Sequence, residues 1–232
     1  MRKSRSISSS PNSQETVAGA VYLALQIFVL PSLLHWINAR LGLALNDAEL
    51  NFTFYLINFM AMLLIFHDFL GRSARQVTQH PAYFCQAVIL GFVAYYACSY
   101  ATTWLIQQLV PAFTNYNDEA IATMRNANDF LIFIGTVVLV PPFEECMFRG
   151  LIFRNLYGKS RWAAYILSIA LFAVIHILGY IGRYSPLELT MAVLQYLPAG
   201  LCLAWSYVKA DTIFAPIVIH AAINYVSIQA LR

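Results

Sequence analysis

Seven long apolar segments constrain what this chain can fold into more than any other feature of its sequence. Lipid supplies no water to backbone N–H and C=O groups, so a segment that crosses a bilayer must satisfy these groups internally, as a helix does. Each segment has close to the ~20 residues that a spanning helix needs. The sequence therefore predicts an all-α, polytopic transmembrane bundle of about seven spans, with a range of roughly six to eight. The segments are 17–38, 51–70, 81–110, 128–157, 162–180, 188–208 and 212–231.

The composition supports a membrane protein and excludes other classes. Apolar residues make up 60% of the 232 residues and charged residues only 11%, against about 25% charged in a soluble domain. This length is filled by the apolar segments, which leaves no room for a separate soluble domain. The net charge of +3 is small, and the positive residues lie near span ends and form no patch, which argues against a nucleic-acid partner. The lipid bilayer is the partner that the composition predicts.

The distribution of basic residues predicts the orientation. Residues 1–16 are polar and serine-rich, and we interpret them as a disordered cytoplasmic arm, followed by N-terminal transmembrane helices over 17–127 and by a second transmembrane region over 128–231. Basic residues are enriched in cytoplasmic loops, and here they recur on one predicted side. The N-terminus is therefore predicted to be cytoplasmic, in a multi-pass protein of a bacterial cell membrane. These residues are Arg2, Lys3, Arg5, Arg72, Arg75, Lys159 and Arg161.

The second region contains ionisable and amide side chains that are costly inside a bilayer. Such residues persist where they face a cavity or a partner, so their default interpretation is a functional site. Glu145 and Arg149 are spaced i,i+4, which places opposite charges on one helix face and predicts an ion pair. His220 and Asn224 share this spacing and are predicted to point into one cavity. The full set is Glu144, Glu145, Arg149, His176, His220 and Asn224.

This set permits peptide hydrolysis without a serine or cysteine nucleophile. A carboxylate in an apolar cavity is a stronger proton acceptor than one in water, so Glu144 is a candidate general base for water. His176 and His220 are candidates to move protons and to donate to an oxyanion, together with the Asn224 amide. The sequence has no HExxH, GxSG or GxGD motif, which disfavours the zinc, rhomboid-like serine and aspartyl intramembrane proteases. A zinc site made of Glu144, His176 and His220 remains an alternative.

Three ordered motifs resemble a known family. Glu144-Glu145-x-x-Phe148-Arg149-Gly150, Phe172-x-x-x-His176 and His220-x-x-x-Asn224 are similar to those of the CAAX protease and bacteriocin-processing family of intramembrane glutamic endopeptidases, which includes the type II CAAX prenyl endopeptidases. The resemblance covers roughly residues 128–230, and the first half matches only in being apolar and multi-spanning.

The resemblance implies a role for each motif residue. Glu144 would activate water with help from His176, His220 and Asn224 would stabilise the oxyanion, and Glu145 and Arg149 would orient the site. It implies a catalytic site inside the membrane and a membrane-associated protein or peptide substrate, of the CAAX type or from bacteriocin or immunity processing. No cofactor and no tightly bound metal are expected, with zinc as the exception already named.

Other functions use the same residues. A non-catalytic bacteriocin-immunity or membrane scaffold protein would keep the fold without the reaction. A transporter or proton relay also places carboxylates and histidines in a membrane, although the chain has no detectable internal repeat of the kind that many transporters have. The Glu145–Arg149 pair by itself also fits a purely structural contact between helices.

Overall fold

The computed structural model describes residues 7–231, and over that range the protein is all-helical, which confirms the predicted fold class. Ten helices follow one another with short connections, and no strand occurs among the described residues. Their bounds are α1 Ser13–Phe28, α2 Leu30–Leu41, α3 Asp47–Ile65, α4 His67–Gln79, α5 Pro81–Leu109, α6 Tyr116–Ala127, α7 Asp129–Tyr157, α8 Arg161–Ile177, α9 Pro186–Ala210 and α10 Phe214–Ala230. A short 3₁₀ turn, Leu178–Tyr180, extends α8.

All seven predicted segments are helical, but fewer of them qualify as single straight spans. Within residues 7–231, α3, α5, α7, α8 with its 3₁₀ turn, and α9 are long and apolar enough to cross a membrane, which makes five. Helices α1 and α2 bend by 53° at their junction and together form a sixth, broken span. Helix α10 is apolar but has only 17 residues. The protein is therefore a polytopic helical bundle with five or six spans by length and composition, at or one below the lower end of the predicted range of six to eight.

Side-chain caps set where several helices begin. Three helices start with a capping box, in which the N-cap side chain accepts from the N3 backbone while the N3 glutamate accepts from the N-cap backbone. The pairs are Asn12 with Glu15, Asn46 with Glu49, and Ser185 with Glu188. These caps satisfy backbone donors that would otherwise be unpaired at the helix ends.

Helix α7 is the most buried of the candidate spans and lies at the centre of the bundle. In the apolar part of α7, 56% of the residues are buried, against 44% in α9, 22% in α3 and 11% in α5. The α5 surface carries exposed apolar side chains such as Ile89, Val93 and Trp104, as expected of a helix that faces lipid. Helix α9 approaches α8 closely at Gly200, where an added Cβ would lie 2.8 Å from a methyl carbon of Ile169.

Pro141 and Pro142 do not break α7, contrary to the kink or new helix start that prolines usually cause. The helix instead widens into π-helical turns on both sides, at Ile134–Leu139 and Cys146–Phe153. In a π turn the backbone N–H bonds the carbonyl five residues earlier, as the N–H of Val140 does with Gly135. This wider pattern moves carbonyls away from the proline rings and keeps the helix continuous.

The arm predicted to be disordered over residues 1–16 is ordered where the structure describes it. Ile7 and Ser9 are buried, and α1 already begins at Ser13. Tyr207 donates a 2.7 Å hydrogen bond to the Ser9 carbonyl, and Arg154 donates one of 2.8 Å to the Ile7 carbonyl. Ser9 also forms a side-chain hydrogen bond with Ser73 of α4. The prediction is therefore wrong for residues 7–16, because this segment forms hydrogen bonds with α4, α7 and α9 and continues into α1. The rest of the predicted arm, residues 1–6, lies outside the described residues.

Candidate active site

The structure brings the predicted site residues together from three helices. Glu144 and Glu145 lie in the middle of α7, His176 lies one residue before the end of α8, and His220 and Asn224 lie in the first half and middle of α10. The geometry therefore places ionisable side chains of three helices in one cluster. Their individual catalytic roles remain predictions.

Glu145 is the buried centre of a charged cluster. Arg149 donates from Nη1 to Glu145 Oε1 at 3.0 Å, and both side chains have 0% exposure. The same oxygen lies 2.8 Å from His220 Nδ1. The i,i+4 spacing on α7 therefore forms the predicted ion pair, while the histidine contact joins α7 to α10 and was not predicted.

Arg149 has further contacts that hold the cluster. Its Nη2 donates to the Gly200 carbonyl on α9 at 3.3 Å, and its guanidinium carbon lies 4.4 Å from the centre of the Phe172 ring on α8. An arginine over an aromatic face adds a favourable cation–π interaction. Arg149 thus links three helices around the carboxylate that compensates its charge.

Glu144 has a different environment from its neighbour. Its Oε2 lies 3.8 Å from His176 Nε2 and 3.9 Å from His220 Nε2, and its side chain is 18% exposed. These separations are too long for direct hydrogen bonds, and Oε2 is buried with no hydrogen-bond partner. The three atoms therefore surround a gap in which a small polar molecule can be held.

Both histidines are oriented through their Nδ1 atoms. His176 Nδ1 lies 2.7 Å from the Phe172 carbonyl, which only accepts hydrogen bonds, so Nδ1 carries the hydrogen. His220 Nδ1 must likewise donate to the carboxylate of Glu145. In the neutral rings, Nε2 is then a free acceptor that faces Glu144, and in the protonated rings it is a donor.

Asn224 is held by the α7 backbone. Its Nδ2 donates to the Thr136 carbonyl at 2.9 Å. In the π-helical turn this carbonyl would bond the N–H five residues later, but that residue is Pro141, which has no N–H. The proline therefore frees a carbonyl that Asn224 binds, and this leaves the second amide hydrogen of Asn224 available.

A cavity of about 800 Å³ connects these residues to a polar wall. Glu144, His176, His220 and Asn224 all line it, and so does Tyr196 of α9, whose ring stacks on His176 at a centroid distance of 4.3 Å. Another part of the wall is formed by the start of α6, including Asn115, Asn117 and Asp118. Their polar composition is shared by any exposed loop, so no signal in the sequence distinguished them.

Comparison with known proteins identifies the family. The family described as type II CAAX prenyl endopeptidase Rce1-like matches residues 126–226, a range that includes all six predicted site residues. The UPF0177 protein YbdI of Lactococcus lactis subsp. lactis (strain IL1403) is 30% identical over 141 residues, which cover 59% of this chain and 71% of YbdI. The chain belongs to the Rce1-like family of CAAX proteases. No solved structure matches it.

Family membership gives the coarse class of the protein. The Rce1-like family is a protease family, and together with the apolar helices it identifies a multi-pass integral membrane protein. The name of YbdI states no activity. Membership therefore gives the fold family and the broad enzyme class, and it does not give the reaction or the substrate.

The arrangement of the side chains bears on the zinc alternative. Over residues 7–231, no group of three or more His, Cys, Asp and Glu side chains is arranged to hold a metal ion. Glu144 offers one oxygen at 3.8 and 3.9 Å from two imidazole nitrogens, and two ligands bound about 2.1 Å from a tetrahedral zinc ion are themselves roughly 3.4 Å apart, so these distances alone do not separate the zinc alternative from a metal-free site. The expectation of a metal-free reaction stays a prediction, to be tested by experiment.

Proposed function

We propose that this protein is an intramembrane endopeptidase that hydrolyses a peptide bond of a membrane-associated protein or peptide with water activated by Glu144. One observation carries the proposal. The Glu144 Oε2 atom is buried without a partner, yet it faces the Nε2 atoms of two histidines at 3.8 and 3.9 Å at the wall of a cavity large enough for a peptide segment. A carboxylate in this position is free to accept a proton from water.

The reaction follows from the orientation of each side chain. Water held between Glu144 and His176 gives a proton to the Glu144 carboxylate as its oxygen attacks the carbonyl carbon of the substrate. The developing oxyanion accepts hydrogen bonds from protonated His220 Nε2 and from the second N–H of Asn224. When the C–N bond breaks, the proton on Glu144 passes to the leaving amine, directly or through His176. No covalent intermediate is required.

Glu145 and Arg149 act in this proposal as positioning residues. Glu145 accepts from His220 Nδ1 and so fixes the ring with Nε2 towards the cavity, where the protonated ring of the proposed mechanism donates to the oxyanion. Arg149 balances the Glu145 charge and keeps this carboxylate from competing with Glu144 as the base. The two adjacent glutamates therefore have separate roles.

The substrate and setting are also part of the proposal. Family membership favours a CAAX-type substrate or one from bacteriocin or immunity processing, cut without a cofactor. We place the N-terminus in the cytoplasm of a bacterial cell, in accordance with the basic residues that flank the spans. A non-catalytic immunity or scaffold protein of the same fold is the alternative that the activity assay must exclude.

The direct test is peptide cleavage by the purified full-length chain in lipid vesicles. A library of lipid-tethered quenched fluorescent peptides is incubated with the protein, and mass spectrometry locates the cut. Glu144→Gln is expected to lower the rate by about 10²–10⁴-fold, the range for loss of a general base. Glu119→Gln removes a carboxylate from the exposed side of α6 and is the matched control with wild-type rates.

Two outcomes would contradict the proposal. Wild-type rates in Glu144→Gln would exclude this residue as the base, and the lack of any cleavage across the library would favour the non-catalytic alternative. Metal dependence is tested on the same samples by chelation and by elemental analysis. Loss of activity on chelation, with zinc present in stoichiometric amount and lost in His176→Ala, would replace the metal-free mechanism with a zinc-dependent one.

A further inference from the structure

One buried hydroxyl in the wall of the cavity has no role in the proposed reaction. Thr136 of α7 lines the cavity and is only 7% exposed, and its Oγ1 atom makes no hydrogen bond to any residue in the described range 7–231. A buried hydroxyl without a partner destabilises the folded protein, because it has given up its hydrogen bonds with water. The stability of the protein therefore does not explain a threonine at this position.

Threonines in other helices satisfy their hydroxyls within their own helix. Thr53, Thr123 and Thr190 each donate to the carbonyl four residues earlier, at 2.8, 2.9 and 2.7 Å, as a threonine inside a helix commonly does. Thr136 lies in the π-helical turn Ile134–Leu139, and the wider winding of that turn changes the position of its hydroxyl relative to the preceding carbonyls. The turn therefore leaves this hydroxyl available for a group that enters the cavity.

Asn224 fixes Thr136 relative to the proposed oxyanion site. Its Nδ2 donates one hydrogen to the Thr136 carbonyl at 2.9 Å, and in the proposed mechanism the same nitrogen donates its other hydrogen to the oxyanion. Two acceptors of one amide nitrogen, each about 2.9 Å away, are themselves roughly 5 Å apart. The Thr136 hydroxyl belongs to the same residue as the first acceptor, so it lies within a few more ångströms of the oxyanion.

Within residues 7–231, two other residues of the cavity wall have a buried polar atom without a partner. These atoms are Tyr96 Oη and Glu144 Oε2. Glu144 is the proposed base. Tyr96 packs its ring against Phe92 and Tyr95 of its own helix α5, whereas Thr136 is bonded to a member of the proposed catalytic cluster. Thr136 is therefore the free hydroxyl whose place relative to the reaction is set by a hydrogen bond.

This place fits a backbone carbonyl of an extended peptide. Such a peptide advances about 3.3 Å per residue and alternates in direction, so carbonyls two residues apart point the same way and are roughly 6.6 Å apart. When the carbonyl of the bond to be cut points at Asn224, the carbonyl two residues away faces the same wall, within reach of the Thr136 hydroxyl. Every peptide has such a carbonyl. The contact is therefore compatible with an internal segment and with the last residues of a CAAX-type substrate.

We propose that the Thr136 hydroxyl is a substrate-binding group, which donates a hydrogen bond to the backbone carbonyl two residues from the carbonyl of the bond that is cut. This inference rests on the proposed function, because it assigns a binding subsite in the same cavity. Its consequence is that the substrate lies along α7 in an extended conformation and is held there by its main chain.

The test pairs a change in the peptide with a change in the protein. The probes are acylated peptides of one apolar sequence, in which each peptide bond in turn is replaced by a trans-alkene that keeps the shape and removes the carbonyl. Binding is measured by fluorescence anisotropy in nanodiscs with the full-length Glu144→Gln protein, with and without Thr136→Val, and mass spectrometry locates the cut made by the wild type. One replacement is expected to weaken binding to Glu144→Gln about five- to tenfold, and this loss is expected to disappear when Thr136→Val is also present.

Single variants separate loss of the hydroxyl from a change in packing. Thr136→Val is expected to raise KM about five- to tenfold with little change in kcat, while its thermal stability stays equal or rises, because a buried hydroxyl without a partner is removed. Thr136→Ser keeps the hydroxyl and is expected to keep the wild-type KM. Thr53→Val is the matched control, because the Thr53 hydroxyl is bonded within α3 and is not part of the cavity wall; its KM is expected to match the wild type.

The outcomes distinguish the two proposals. An unchanged KM in Thr136→Val, or an alkene effect that persists in this variant, would overturn the inference even if the wild type cleaves the peptides. A joint loss of binding and stability in Thr136→Val, without recovery in Thr136→Ser, would assign the residue a structural role and also overturn the inference. So would a sensitive carbonyl at any other distance from the cut. A carbonyl whose effect depends on Thr136, without cleavage by the wild type, would support the subsite and overturn the proposed endopeptidase.

Discussion

The two parts of α7 that meet at the peptide bond between Glu144 and Glu145 differ in the surroundings of their polar side chains. The first part, up to Glu144, lines the cavity, and there the Thr136 hydroxyl and Glu144 Oε2 have no hydrogen-bond partner. The second part begins at Glu145, and its residues from 145 to 151 are all buried. In this closed part, Glu145 and Arg149 compensate each other's charge at 3.0 Å, although Glu145 Oε2 and Arg149 Nε make no further bond.

Neighbouring identical residues thus acquire different surroundings from helix geometry alone. Successive residues of an α-helix are rotated by about 100°, so Glu144 faces the cavity while Glu145 faces the packed side. In the closed part, Glu145 and Arg149 pair with each other and contact α8, α9 and α10. The open part keeps one carboxylate available for chemistry. Variants that break one part and leave the other intact test this division.

The largest expected effect is on the closed part, in Arg149→Met. This change leaves the Glu145 charge buried without its cation, which typically costs about 3–5 kcal/mol of stability. The Arg149→Met, Glu145→Gln double variant removes both charges and is expected to recover most of that loss. The measurement is the free energy of unfolding in mixed micelles for both single variants and the double variant.

Glu144→Gln is the control for this cycle. It changes a carboxylate of the open part that forms no ion pair with a lysine or arginine, so its stability is expected to stay within about 0.5 kcal/mol of the wild type. If Glu144→Gln destabilises the protein as much as Arg149→Met does, the two parts of α7 are not distinct. An additive double variant would show that Glu145 and Arg149 do not interact in the folded protein.

The sequence predicted those features of the site that depend on spacing within one helix. The pairing of Glu145 with Arg149 follows from their i,i+4 spacing, and the convergence of Glu144, His176 and His220 follows from the cost of isolated ionisable residues in a bilayer. The all-helical fold follows from the apolar segments, because backbone N–H and C=O groups inside a bilayer must bond to each other and a helix achieves this within one segment.

The features that the sequence did not predict depend on contacts between helices. The bond from His220 to Glu145 depends on how α10 packs on α7, and the bond from Asn224 to the Thr136 carbonyl depends on the π-helical turn before Pro141. The wall formed by Asp118 depends on the folding of α6 over the cavity. The spacing of residues along one helix carries no information about these contacts between helices.

A smaller effect is expected at Gly200, where the closed part of α7 meets α9. An added Cβ would lie 2.8 Å from Cγ2 and 3.3 Å from the backbone Cα of Ile169 on α8, so α8 and α9 must separate. This overpacking is expected to cost about 1–3 kcal/mol in Gly200→Ala. It also displaces the carbonyl that accepts from Arg149, so the activity is expected to fall more steeply on heating. Thermal unfolding and the temperature dependence of cleavage measure both effects.

Gly71→Ala in α4 is the matched control for Gly200→Ala. An added Cβ at Gly71 meets no atom within 4 Å, and alanine is the better helix former, so this variant is expected to be as stable as the wild type or slightly more stable. Equal stability of the two variants would show that the approach of α9 to α8 is looser than the structure indicates.

The smallest expected effect concerns the contact between α9 and the N-terminal segment. Tyr207 is fully buried and donates to the Ser9 carbonyl at 2.7 Å, so Tyr207→Phe removes one buried hydrogen bond and is expected to cost about 1 kcal/mol. Tyr100→Phe is the control, because Tyr100 is 77% exposed on α5. Hydrogen exchange of residues 7–12 should increase in Tyr207→Phe and not in Tyr100→Phe, while the cleavage rate stays unchanged in both. The Tyr207 ring lies 6.3 Å from that of Phe153 in the closed part of α7. A loss of cleavage in Tyr207→Phe would therefore show that packing around the closed part controls the open part, and the division of α7 into two independent parts would then be wrong.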